Sequence, residues 1–120
     1  MDKIIITGGN GFIGRELVKT LSKNKLKVYV IDKNIKFNRK KGNIFYIKLN
    51  ILNLKNLKKL FWKIKPNYLI HLAAVHHIPT CEQKRQFTQI TNIIGTENIL
   101  KCLDKYPPKK IVFASSGAVY

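Results

Sequence analysis

The stretch "KIIITGGNGFIGRELVKTL", residues 3–21, limits the possible folds more than any other part of this chain. Its first segment runs from Lys3 through three isoleucines to Thr7, a continuous β-branched run that suits a strand buried on both faces. Its last segment places Phe12, Ile13, Leu17, Val18 and Leu21 at helical spacing over 12–24. Between them Gly8, Gly11 and Gly14 stand three residues apart. A strand that turns straight into a helix through spaced glycines is the opening of a βαβ unit, and such units build parallel sheets.

The rest of the sequence repeats this alternation. Strands are predicted at 3–7, 27–32, 43–49, 68–74 and 110–116. Helices are predicted at 54–64, ended by Pro66, and at 82–105, closed by Pro107 and Pro108. The segment 33–42 has no helical period and reads as a loop or one short turn. Residues 1–120 then form one α/β domain with a doubly wound parallel sheet. Right-handed crossovers favour the strand order 3-2-1-4-5, with strand five the last element.

The glycine turn has a chemical reading. A first glycine allows the sharp turn, a second lets backbone approach a pyrophosphate, and a third lets helix and strand pack closely. The helix start offers free N–H groups and partial positive charge to phosphates. Asp32 ends the second predicted strand, 18 residues after Gly14, where a carboxylate can accept from ribose hydroxyls. It would repel a 2′-phosphate and so favours NAD over NADP, a preference that Lys33 beside it weakens. The alternatives are a glycine turn without ligand, and Asp32 as a cap or turn residue.

Charge is less specific. There are 23 Lys and Arg against six Asp and Glu, a net charge of +17, which draws polyanions in general. The lysines are spread along the chain, however, and Arg15, Arg39 and Arg85 are the only arginines. Sequence-specific nucleic-acid readers lean on Arg forks, so no specific nucleic-acid partner is expected. The densest clusters, "NRKKG" at 38–42 and "KNLKKL" at 55–60, read as a loop and a helix face. Cys81 and Cys102 have no metal spacing and read as free thiols. His76, His77 and Cys81 lack a fourth ligand, so no metal is expected. No apolar run reaches membrane-spanning length and the N-terminus lacks signal-peptide features. A cytoplasmic protein without membrane contact is the expectation.

Several motifs stand in a telling order: "TGGNGFIG", "VID", "LNIL", "HLAA", "NIIGTENIL" and "FASSGAVY". With them the whole chain resembles the extended short-chain dehydrogenase/reductase family, the NAD-dependent sugar-nucleotide epimerases and dehydratases, whose sheet is of Rossmann type. The resemblance implies NAD as cofactor and a nucleotide sugar as substrate. It implies that the backbone N–H groups of Phe12 and Ile13 hold the pyrophosphate, and that Asp32 holds the adenosine ribose. Asn50 stands where the family prefers Asp, so its contact with the adenine amino group would lack charge. Ile51 would lie on the adenine face, and Leu72, Ala73 and Ala74 would line the cofactor. His76 is either near the phosphates or a surface loop residue. Asn92 would bond backbone near the active site, or is a satisfied helix residue. Arg85 stands where the family often has Pro at a helix start, a part that Pro79 can take earlier.

Ser116 aligns with the family's catalytic Ser/Thr, which hydrogen-bonds the substrate hydroxyl. The family's acid/base Tyr and its Lys four residues later lie well downstream, so Tyr120 is not that Tyr. Tyr29 and Tyr106 have Lys at the fourth position, Lys33 and Lys110, but both fail on location. The expectation is an N-terminal portion of a longer enzyme, inactive alone, with an exposed strand-five edge open to association. The alternative is a non-catalytic dinucleotide-binding regulatory module.

Overall fold

Burial at successive positions along a β-branched run sets up the centre of the molecule. A computed structural model of the chain describes residues 1–72 and 82–114. The strand β1 (Asp2–Thr7) buries Ile4, Ile5, Ile6 and Thr7 in succession, so both its faces are covered. The helix α1 (Phe12–Leu21) follows, then β2 (Leu26–Asp32), β3 (Arg39–Lys41), β4 (Ile44–Lys48), α2 (Leu54–Ile64), β5 (Tyr68–His71), α3 (Glu82–Cys102) and β6 (Lys110–Phe113).

The six strands form one sheet in the order β3-β4-β2-β1-β5-β6. Five of them are parallel and match the predicted order 3-2-1-4-5. The addition is β3, which pairs antiparallel with β4 through Arg39↔Tyr46, Lys40↔Phe45 and Lys41↔Ile44. The cluster "NRKKG" is therefore an edge strand and not a loop. Its three strand residues are all exposed, so it carries no apolar pattern to betray it.

The period of two sorts the strand residues between faces. On one face Ile5, Ile31 and Leu69 meet Leu57, Phe61 and Ile64 of α2 and Ile99 and Cys102 of α3. On the other, Ile4, Ile6, Val28 and Val30 meet Val18 of α1, with Ile35 and Leu72. The helix α2 is capped at its start by the Asn53 side chain, which accepts from the Asn56 N–H at 3.1 Å. It ends in the left-handed residue Lys65, one residue before Pro66. No helix among the described residues is long and apolar enough to cross a membrane.

The parallel register brings Thr7, Ile31 and His71 side by side at the C-terminal ends of β1, β2 and β5. Chain leaves β1 for α1 on one face, while β5 leads to α3 on the other. The crevice between β1 and β5 is the switch point at which such sheets bind ligands.

Candidate functional site

The glycine turn sits at this switch point. The Gly8 N–H donates to the Ile31 carbonyl at 2.7 Å, which fixes the turn to β2 as well as β1. Gly8 has φ 72, a left-handed conformation that a side chain resists. A Cβ on Gly14 would lie 2.6 Å from the Gly8 oxygen and 2.6 Å from the Gly9 Cα, both backbone atoms that cannot swing aside. Gly11 differs: its φ is −78, and a Cβ there would meet only the Gly8 oxygen, at an ordinary 3.5 Å. The fold thus requires Gly8 and Gly14, whereas Gly11 leaves open space above the turn.

That space lies at the start of α1. Gly11 is the N-cap and no side chain caps the helix. The first-turn N–H groups of Phe12, Ile13 and Gly14 have no carbonyl to bond within the helix. The helix dipole adds partial positive charge there. Phe12 and Ile13 are 88% and 62% exposed, so they are not part of the core face that their helical spacing predicts. They stand on the first turn, beyond the reach of the sheet below. These backbone donors fit a pyrophosphate: the anion needs donors on backbone, a clear approach and no competing cap, and all three are present.

Asp32 closes one side of the turn. Its Oδ2 accepts from the Asn10 N–H at 3.1 Å and its Oδ1 from the Asn34 N–H at 2.9 Å. It therefore does act as a turn residue, and it also anchors the glycine loop. Each carboxylate oxygen keeps a further lone pair for a hydroxyl. Asn50 lies exposed after β4, and its Oδ1 accepts from the Leu52 N–H at 3.0 Å. Ile51 is half-buried and presses on Gly95 of α3; a Cβ on Gly95 would come within 2.9 Å of the Ile51 Cγ1. The Asn98 side chain donates to the Ile51 carbonyl at 2.9 Å, holding the same loop to α3. Asn92 is half-buried on α3, one turn of helix before Gly95 and Thr96.

Leu72 is buried, and its N–H donates to the Thr7 carbonyl at 2.9 Å and to the Thr7 Oγ1 at 3.0 Å. Next to it is a residue the sequence reading passed over. The His71 Nδ1 lies 2.6 Å from the Thr7 Oγ1, and its Nε2 lies 3.1 Å from the Thr96 Oγ1. A neutral imidazole serves both contacts, with one donor and one acceptor nitrogen. Burial lowers the His71 pKa and so favours that neutral form. This chain of three side chains ties β1, β5 and α3 together directly beneath the crevice. The signal for it was the Gly95-Thr96 pair, whose two members contact Ile51 and His71. Ala73, Ala74, His76 and Ser116 lie outside the described residues, as do Pro79 and Cys81.

The two tyrosines with Lys at the fourth position are in the wrong places for acid/base work. Tyr29 stacks on Phe45 at 4.6 Å between ring centroids, and burial pushes its pKa up, away from working pH. Tyr106 precedes β6, so the parallel sheet puts it at the end opposite the glycine turn.

Comparison with known proteins agrees with this geometry. A family model described as the NAD dependent epimerase/dehydratase family matches residues 4–120. A dTDP-D-glucose 4,6-dehydratase of Dictyostelium discoideum is 37% identical over 131 residues, which cover 100% of this chain and 30% of that protein. The crystal structure of UDP-glucose 4-epimerase from Thermotoga maritima with UDP-glucose is 31% identical, with TM-score 0.83, covering 96% of this chain and 38% of the other. The UDP-glucose 4-epimerase of Thermus thermophilus in complex with NAD is 26% identical with TM-score 0.83, again covering 96% and 38%. The chain thus spans about a third of the length of these relatives. With its six-stranded sheet, its glycine turn and a family match over nearly its whole length, the chain belongs to the NAD dependent epimerase/dehydratase family.

Proposed function

We propose that this chain is the NAD-binding N-terminal portion of a sugar-nucleotide epimerase or dehydratase. The observation that carries the reading is the uncapped start of α1 above the glycine turn, with the Asp32 carboxylate bonded to the loop beside it. The backbone N–H groups of Phe12 and Ile13 hold the pyrophosphate, and Gly11 lets it come close. Asp32 takes the adenosine ribose hydroxyls with its remaining lone pairs, and Ile51, backed by Gly95, carries the adenine face. Leu72, with Ala73 and Ala74, lines the nicotinamide end.

NAD supplies the hydride acceptor for a sugar carbon, as the family's name implies. Ser116 would bond the reacting hydroxyl. The Tyr and Lys that move its proton would come from polypeptide beyond the part of the relatives that this chain spans. The surface supports that division. Phe87, Ile90, Ile93 and Leu100 of α3 and Ile111, Val112 and Phe113 of β6, the element that follows it in the chain, are exposed apolar residues. Apolar area of this extent normally has a partner. In this reading the partner is the rest of the enzyme, and without it the edge of β6 is free to associate.

The test is calorimetric titration with NAD, followed by assay on UDP-glucose. Saturable NAD binding that is weakened by about tenfold or more in Gly11→Ala, and weakened also in Asp32→Asn, is expected, with no turnover by the 120 residues alone. Turnover that Ser116→Ala abolishes would overturn the claim of inactivity. Failure to bind NAD would overturn the reading as a whole.

A further inference from the structure

Four cations line a groove that extends from the glycine turn away from the start of α1. The groove has a volume of about 640 Å³ and runs between α1 and the β3–β4 hairpin. That is within the range of about 300–1,000 Å³ usual for small-molecule sites. Arg15 and Lys19 line it from α1, four residues apart and so on one stripe of the helix. Arg39 and Lys41 line it from β3, two residues apart and so on one face of the strand. Gly9 and Asn10 of the glycine turn line one end of it, but among the described residues no carboxylate lines it, and neither do Gly11, Phe12 or Ile13.

The walls are fixed. The Asn43 side chain donates to the Ser22 carbonyl at 3.1 Å and to the Leu26 carbonyl at 2.6 Å, tying the hairpin to the far end of α1. The Arg39 guanidinium lies 4.1 Å over the Tyr46 ring and 5.6 Å from the Phe37 ring. A guanidinium held in this way loses little freedom when it takes a ligand, and a planar fork suits a phosphate. Like charges gathered from two separate elements cost stability through repulsion, a cost that an anion between them relieves.

We propose that this groove is a second anion site, separate from the pyrophosphate cradle, that binds a chain of linked phosphates. A linear phosphate chain matches the groove in charge and in its run along α1. A nucleic acid suits it less: base stacking needs open aromatic faces, and Arg39 covers the Tyr46 ring that the groove offers. The inference does not rest on the dinucleotide reading.

Inorganic tripolyphosphate is titrated calorimetrically into the full chain at physiological ionic strength, with and without saturating NAD. One site is expected, undisturbed by NAD. Arg39→Gln with Lys41→Gln should weaken it by about tenfold or more, as loss of charged hydrogen bonds does. Arg15→Gln with Lys19→Gln, on an exposed helix turn, should do the same without touching the hairpin. Lys55→Gln with Lys59→Gln removes equal charge from α2 and should change affinity by less than about twofold, as screened distant charges do. ATP run in parallel on the NAD-saturated chain tells a free chain from one carried by a nucleoside. Equal losses in all three double variants would reduce the binding to net charge and overturn the site. Displacement by NAD would place the anion in the cradle and overturn it too. So would absence of saturable binding, or tighter binding of a single-stranded oligonucleotide that the groove variants weaken.

Discussion

On one face of the sheet α2 and α3 lie together over Ile5, Ile31 and Leu69, with Phe61 and Cys102 both fully buried among them. On the other, α1 is the one helix among the described residues that packs over Ile4, Ile6, Val28 and Val30, and the hairpin beyond it leaves a groove open. The first face is thick and built from side chains. The second is thin, and its chemistry is built from backbone: a turn, an uncapped helix start and the glycines that keep them clear. The contrast teaches that stability and ligand binding rest on different sides of one sheet, joined through the strand ends at Thr7, Ile31 and His71.

The strongest way to break this division is Phe61→Ala. Phe61 is 1% exposed, and its removal should cost about 3–5 kcal/mol in denaturant unfolding. The chain that remains folded should bind NAD as before. A weakened NAD affinity at low denaturant would show that the faces are not separable.

Next in size is Gly14→Ala. Its Cβ would meet backbone of Gly8 and Gly9 at 2.6 Å, so α1 must move away from the turn. The expected loss is about 3 kcal/mol, at the upper end for an overpacked site, with NAD binding lost as well. Gly11→Ala sharpens the comparison from the other side. Its Cβ is tolerated, at 3.5 Å from the Gly8 oxygen, so the melting temperature should stay unchanged. NAD affinity should still fall by about tenfold or more, because the new methyl stands where the pyrophosphate approaches. If Gly11→Ala and Gly14→Ala change both properties together, the two glycines do not have the separate roles assigned to them.

Much of this was legible in the sequence, for a physical reason. A strand buried on both faces must be apolar at successive positions, so β1 announces itself, and Asp32 stands out as the carboxylate that ends β2. The parallel order follows from alternation and handedness alone. Three features escaped. Strand β3 has only Arg39, Lys40 and Lys41, and what holds it is pairing with β4 and the rings of Phe37, Phe45 and Tyr46, none of which leaves a periodic trace. Phe12 and Ile13 fit the helical period yet face outward, because period alone does not tell a helix's first turn from its buried middle. His71 reads as one polar residue in an apolar strand, and only the fold shows Thr7 and Thr96 on either side of it.

His71 gives the smallest effect, and the one that probes the seam between the faces. It is buried between Thr7 and Thr96, with the Phe113 ring edge-on at 5.6 Å. Loss of hydration holds its pKa below the ordinary 6.5. In the unfolded chain the imidazole returns to that value, so in the window between the lowered native pKa and 6.5 the unfolded state binds more protons. This contribution to stability is therefore complete above pH 6.5 and declines as the pH falls through that window. Melting temperatures of the natural chain and of His71→Gln, taken from about pH 7.5 to about pH 5, isolate it from the carboxylates, which both proteins share. The natural chain should lose its advantage over the variant on acidification. NAD affinity should hold across that window, where the native ring stays neutral, and fall only below the lowered native pKa, where protonation puts a second donor on a ring whose neighbours are arranged for one. Two melting curves that stay parallel across the range would mean that His71 fills space and does not carry the link between β1, β5 and α3.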